Sequence, residues 1–505
     1  MDTSRAGLKG MVAGLVAAVL LVPTAALAGE GGPRFTPGDD GAGDDYFPYA
    51  GNGGYDVQHY DLALTYRPPP VTTPPTPEDD LRGRIDAVAT IDLVATQDID
   101  AFSLDLRGLD VESVTVDGKP LRERADRGKQ GSTGGPVWWQ EQDEQARRWE
   151  LVLQPRPKLK AGDRVEVVVT YGGQTTRPRD VEGTLYGWVT TRDGAMVAGE
   201  PDGAMTWYPV SDHPTDKASY SVAITVPEGL TAVANGLPVG PPTTAEGWTT
   251  WRWDAPDQQA SYLTTVTIGN VDGLPVDYSS SGVPILSFVD QDLTPADRAT
   301  TLASLARQGE MLDFFESRYG PYPFESFGAV VVDDDIGYAL ETQTRALYST
   351  VADESTVAHE TSHMWLGNAV SPQRWQDIWL NEGWATYSTW LWNEHRGIRT
   401  AQAAFDAWYA PARTPAYWSL PIGDPGPLNL FATQVYNRGA GALHALRVKI
   451  GDEAFFTATR EWVARYDDST ATTEDFVTLY EEVSGQRLEE FFDIWLFRPE
   501  KPVGW

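Results

Sequence analysis

Two histidines and a glutamate define the chemistry open to this chain. His359 and His363 stand four residues apart in His359-Glu360-Thr361-Ser362-His363, and eighteen residues separate His363 from Glu382, within Asn381-Glu382-Gly383. Residues four apart on an α-helix share a face, so both imidazoles can reach one ion. A carboxylate from the next helix completes three protein ligands and leaves a fourth position for water, the pattern of a catalytic rather than a closed structural zinc. One Zn²⁺ is the expected cofactor. Glu360, one residue round the helix from His359, can face that water as general base. The competing reading is a pair of hydrogen-bonded histidines on a core helix. The chain has only six histidines, so the motif arises rarely by chance, and the metal reading prevails.

The elements around these residues fit the assignment. Ser355 reads as an N-cap and Gly367-Asn368 as a helix stop, and residues 376–394, rich in Trp and Leu, read as a second buried helix. Upstream, from Tyr46 to Val276, the chain consists of short alternating runs broken by turn residues. Examples are Tyr60 to Tyr66, Val165 to Val169 and Tyr220 to Val226. Many short strands without intervening helical periods predict an all-β domain, a sandwich or saddle-shaped pair of sheets. Residues 67–80 and 124–148 read as loops. At Thr294-Pro295-Ala296-Asp297 a cap, a proline and an acid announce a helix through Tyr319. Residues 328–332 then read as a buried strand, and helices are expected at 433–450, 453–466, 473–484 and 487–497. The fold class is α+β multidomain: an N-terminal β domain, 46–276, followed by an α-rich catalytic domain, 277–505.

Composition narrows the classes. With 41% hydrophobic and 11% aromatic residues the 505-residue chain is globular. A formal charge of −33 argues against nucleic acid and anionic membrane surfaces as partners. Residues 1–28 read as a secretory signal peptide: Arg5 and Lys9 precede an apolar run, Met11 to Val22, and Ala26-Leu27-Ala28 offers a cleavage site. The expected location is therefore outside the cytoplasm, secreted or periplasmic, with no stable membrane anchor. The Gly-, Pro- and Asp-rich residues 29–45 read as a flexible leader. Zero cysteines leave the core and the metal, not disulfides, to stabilise an exported chain.

The chain resembles the gluzincin aminopeptidases, the family of aminopeptidase N and leukotriene hydrolase. The resemblance rests on HETSHMWLGN and WQDIWLNEGWATY at the metal motif, and it runs through most of the chain. It includes YDVQHYDLAL, GEPDGAMTWYPVSDHPTDKASYSVAITVP, RYGPYPFESFGAVVV and FFDIWLFRPEKP. It implies a thermolysin-like catalytic domain and cleavage of peptides that carry a free N-terminus. Glu341, in Tyr338-Ala339-Leu340-Glu341-Thr342, matches the family carboxylate that holds the substrate's α-amine, and Glu200, in Gly199-Glu200-Pro201, a β-domain residue of the same pocket. Tyr436, in Val435-Tyr436-Asn437-Arg438-Gly439-Ala440, matches the tyrosine that donates to the oxyanion. An ammonium is mostly protonated at neutral pH, so two converging carboxylates would select it over an internal amide.

The chain departs from the family pattern where a glycine, a methionine and an asparagine are Tyr338, Leu340 and Thr342, and where Met205 replaces an arginine. It also resembles a short form without the large C-terminal helical domain, which implies a more open cleft. A zinc endopeptidase and a non-catalytic peptide-binding relative are the alternatives. Oligomeric state and first-residue preference have no signature in the letters.

Overall fold

Alternation of apolar and polar residues builds the first half of the chain. The computed structural model describes residues 35–124, 135–410 and 413–504; the expected signal peptide lies outside them, as do residues 29–34. In strand Tyr55–Arg67 the buried side chains are Tyr55, Val57, Tyr60, Leu62, Leu64 and Tyr66, and a register shift between Val57 and His59 keeps them on one face. Strand Arg84–Ala95 buries every second residue from Ile85 to Ala95. The two pair antiparallel at the middle of a sheet that has thirteen strands among the described residues. Arg164–Gln174 lies beyond Arg84–Ala95, and Ala218–Pro227 runs parallel beside Tyr55–Arg67.

A second, four-stranded sheet orders Gly187–Thr190, Ala195–Ala198, Val266–Gly269 and Thr231–Ala234. Three of these strands are wholly buried, as expected for a layer covered on both faces. Glu200 follows the second of them, so this sheet carries it toward the helices.

The second half of the chain begins with another sheet. Strand Phe327–Val332 is buried throughout and runs parallel to both Pro284–Asp290 and Ala346–Ser349. The two-residue strand Ala339–Leu340 closes its edge, antiparallel to Ala346–Ser349, and delivers Glu341. Helices follow in order: α1 (Pro295–Leu305), α2 (Gln308–Tyr319), α3 (Glu354–His363), α4 (Trp379–His395), α5 (Ala401–Tyr409), α6 (Pro415–Trp418), α7 (Thr433–Ile450), α8 (Asp452–Tyr466), α9 (Thr473–Ser484) and α10 (Glu489–Phe492). Around α3 and α4 the core is built from Trp365, Trp375, Trp379, Trp384 and Trp392, all fully buried. Trp365 Nε1 donates to the carbonyls of Gly320 and Pro321 at 3.0 and 2.9 Å, tying α3 to the end of α2.

Several expectations need correction. Residues 35–45 of the expected leader are mostly exposed but are tied to the rest of the chain by specific bonds. Thr36–Pro37 pairs with the strand Ile99–Asp105, and Asp44 is 4% exposed. Asp44 Oδ1 accepts from the amides of Tyr46 and Phe47, and Oδ2 accepts from Trp375 N across the molecule at 2.8 Å. These specific bonds outweigh a composition that predicts disorder.

The helix expected through Tyr319 is broken at Ala306-Arg307. The break lets Thr301 and Leu305 on α1, and Met311, Leu312 and Phe315 on α2, bury separate faces. Asp353, not Ser355, caps α3, its carboxylate accepting from the amides of Ser355 and Thr356. That helix ends at His363, four residues before Gly367. The segment expected as a loop to 148 contains strand Val137–Asp143, paired with Arg148–Gln154. The helix expected at 487–497 is α10 followed by a π-helical turn, Asp493–Phe497.

Candidate active site

One turn of α3 separates His359 from His363, and their rings meet edge to face with centroids 4.9 Å apart. Glu382 enters from the first turn of α4. Its Oε2 lies 3.1 Å from His359 Nε2 and 3.7 Å from His363 Nε2. One ligand atom from each residue falls within 4.8 Å of the others. His363 Nδ1 stands 3.2 Å from the Leu366 carbonyl, and a proton donated there leaves Nε2 as the free ligand atom. Gly367 makes the turn possible: its φ of +139° suits glycine, and a Cβ there would lie 3.0 Å from His363 Nδ1.

Two more glycines set the distance between α4 and α7. A Cβ built on Gly439 would sit 2.7 Å from the Gly383 Cα, and one built on Gly383 would sit 2.9 Å from the Gly439 Cα. The helices therefore cross backbone against backbone. Glu382 precedes one glycine, and Tyr436 lies one turn before the other. The close crossing brings the Tyr436 ring to 6.1 Å from that of His359, nearly parallel to it.

Glu200 and Glu341 arrive from different sheets and open on the same cleft, whose volume is about 610 Å³. Asn368 Nδ2 donates to the Glu341 carbonyl at 2.8 Å, fastening that edge strand to the turn after α3. Asn381 Nδ2 donates to Tyr262 Oη, which in turn donates to the Gly367 carbonyl. Lys217, buried, donates from Nζ to the carbonyls of Asn368 and Ala369 at 2.8 and 2.9 Å. Asn368, Asn381, Tyr262 and Lys217 were not singled out from the letters. Only the two asparagines had a signal there, as polar residues adjacent to ligand-bearing motifs.

The electrostatics are those of a cation site. Glu200, Glu341, Glu360 and Glu382 are all at least 93% buried. Burial and the neighbouring carboxylates push Glu200 well above the usual carboxylate range. Burial, then Glu341 and Glu382, does the same to Glu360 against the pull of His363. Glu341 is raised mainly by burial. Burial works against charge on Glu382 too, but His359 and His363 bring it down to about 2. Burial likewise disfavours protonated His363, yet Glu341, Glu382 and Glu360 raise it to about 10. One oxygen on each of Glu200, Glu341 and Glu360 has no hydrogen-bond partner among the described residues. Orphaned buried acceptors of this kind call for positive charge. Two imidazole nitrogens with one carboxylate are a zinc donor set, and the residues fit that ion. Burial, then Glu382, Glu200 and Glu341, raises the Tyr436 phenol, which stays a proton donor at neutral pH.

All seven residues expected from the sequence line this one cleft. Two family descriptions match the chain: the peptidase M1 N-terminal domain over residues 57–263 and the peptidase family M1 domain over residues 304–495. Among curated proteins, aminopeptidase N of Streptomyces lividans is 25% identical over 328 residues, 56% of this chain and 36% of that protein. Human glutamyl aminopeptidase is 26% identical over 330 residues, 60% of this chain and 34% of that protein. The chain spans about two fifths of the length of the curated relatives it matches. Among solved structures, the M1 zinc metallopeptidase of Deinococcus radiodurans is similar with a TM-score of 0.76 and 27% identity, covering 92% of this chain and 99% of that one. A mutant of that protein bound to a Tyr-Ser-Ala substrate gives a TM-score of 0.77, with the same identity and coverage.

Proposed function

The chain belongs to the M1 peptidase family, and from that premise we propose that it is a secreted zinc aminopeptidase releasing the first residue of peptides. The observation that carries the reading is the pair Glu200 and Glu341. Both are buried carboxylates with an unpartnered oxygen, and both open on the cleft that holds the His-His-Glu set. An α-ammonium satisfies both at once, and an internal peptide bond offers no such group.

His359, His363 and Glu382 would hold zinc, which would supply Lewis acidity to the scissile carbonyl and lower the pKa of water toward neutral. The remaining steps belong to the protein. Glu341 and Glu200 bind the ammonium and so fix which carbonyl lies beside the metal ligands. Glu360 takes a proton from the attacking water and returns it to the nitrogen of the departing amine. Tyr436 donates its phenolic proton in a hydrogen bond to the developing oxyanion, a preorganised contact in a partly dry site.

Export is part of the proposal. It rests on Arg5, Lys9, the apolar run Met11 to Val22 and the small residues before Gly29. No helix among the described residues is long and apolar enough to cross a membrane. N-terminal sequencing of protein recovered outside the cytoplasm should begin at or near Gly29, and an intact Met1 would refute export by cleavage.

The enzymatic reading is tested with one short peptide carrying a free or an acetylated N-terminus, incubated with zinc-loaded protein. Exclusive loss of the first residue from the free peptide is expected, and a chelator should abolish it. Internal cleavage of both forms would make the protein an endopeptidase. Failure to cleave either would make it a non-catalytic relative.

A further inference from the structure

The proposed mechanism leaves two carboxylates of the cleft without a task, Asp180 and Glu182. Both sit on a tight turn, residues 178–186, closed by a bridge between Arg179 and Leu185. Asp180 Oδ1 accepts from the amides of Glu182 and Thr184 at 2.8 and 2.9 Å, so the turn is rigidly shaped. Neither carboxylate forms an ion pair among the described residues. The neighbouring cation, Arg179, is held by Asp79 and by the Gly183 carbonyl. No lysine or arginine lines the cleft among the described residues.

Tyr338 fastens this turn to the site. Its hydroxyl donates to the Leu185 carbonyl at 2.7 Å, and its backbone leads directly into Ala339–Leu340 and Glu341. Burial, then Glu200 and Asp180, raises its phenol. The turn is therefore tied to the strand that delivers Glu341, the proposed amine anchor. The first residue's side chain leaves the carbon next to the ammonium, so it starts from the part of the cleft to which this turn is tied. The same cleft holds the unpartnered oxygens of Glu200 and Glu341, 7% and 2% exposed, which already mark it as a place for cations.

We propose that the 178–186 turn selects substrates whose first residue is lysine or arginine, with Asp180 and Glu182 receiving the side-chain cation. Tyr338 acts as a positioning residue that holds the turn in place. The inference rests on the aminopeptidase reading and deepens it. Because the two carboxylates are partly open to solvent, the selection is moderate and sensitive to salt.

The test compares peptides that begin with lysine or with norleucine, which share the aliphatic stem and differ in the cation. Expected is a kcat/KM ratio of about ten at low ionic strength. It should fall toward one in 1 M NaCl and in the double variant Asp180→Asn, Glu182→Gln. Asparagine keeps the acceptor that shapes the turn. Tyr338→Phe should lower the same ratio without removing either charge. Calorimetric binding of free L-lysine against L-norleucine gives a second readout that needs no turnover, and tighter lysine binding is expected. Equal handling of the two substrates and the two amino acids would overturn the inference. So would a cation preference confined to the second residue. Equal cleavage of acetylated peptides would instead overturn the aminopeptidase reading, a separate outcome.

Discussion

Replacing Glu341 by glutamine keeps the shape of the side chain and removes one negative charge from the amine end of the cleft. Glu341 is 2% exposed, and its Oε1 has no hydrogen-bond partner among the described residues, the nearest imidazole nitrogen being His363 Nδ1 at 3.8 Å. An ammonium bound there makes a charge-assisted hydrogen bond contributing about 1.5–3 kcal/mol. At about 1.4 kcal/mol per decade, Glu341→Gln should lower kcat/KM for free-amine peptides by roughly 10- to 150-fold. Glu200 retains the second carboxylate, so the loss stays within that range rather than becoming complete. An acetylated peptide brings no cation, so the ratio of free to acetylated turnover falls by the same factor. The assay measures that ratio at matched zinc content, with thermal unfolding as a control for folding. Burial disfavours the ionised form of Glu341, so the variant should unfold no lower than the native protein. A ratio unchanged within about twofold would refute the amine-anchor assignment.

Three further outcomes are expected. Tyr436→Phe should reduce kcat by about 10²- to 10³-fold with little change in KM, and an unchanged kcat would remove Tyr436 from the reaction. Gly439→Ala should separate α4 from α7, since its methyl would lie 2.7 Å from the Gly383 Cα. A cost of about 1–3 kcal/mol and weaker zinc retention are expected by calorimetry and metal analysis, and a variant with native stability would disprove the close crossing. Glu150 lies opposite Asp105 in adjacent strands, 0% exposed, and burial followed by Asp105 raises it to about 10. Its folded pKa lies above its unfolded one, so its contribution is full below about pH 4.3 and is lost as pH rises toward 10. Glu150→Gln should flatten the fall of unfolding temperature between pH 5 and pH 9, a slope of up to about 1.4 kcal/mol per pH unit for one proton.

Much of this molecule was determined by the sequence alone, wherever the information is local. The four-residue spacing of His359 and His363 places both on one face of α3 whatever surrounds it. Period-two alternation made Tyr55–Arg67 and Ala218–Pro227 legible as strands, and Thr294-Pro295 marked a helix start where the structure has it. Local signals failed where distant contacts compete with them. The polar leader reads as disordered until Asp44 meets Trp375 N, and the α1–α2 break exists because two faces must be buried against different neighbours. Tertiary structure alone decided which residues share the cleft with His359, His363 and Glu382. Glu200 comes from the end of a four-stranded sheet, Glu341 from an edge strand, and Tyr436 from a helix whose approach depends on Gly383 and Gly439 fitting together. Asp180 and Glu182 carry no motif and line the cleft through the fold, with Tyr338 bonding their turn to the strand before Glu341. Helical and strand periods report which face of an element is buried. They hold no information about which distant loops that burial brings to the same cleft.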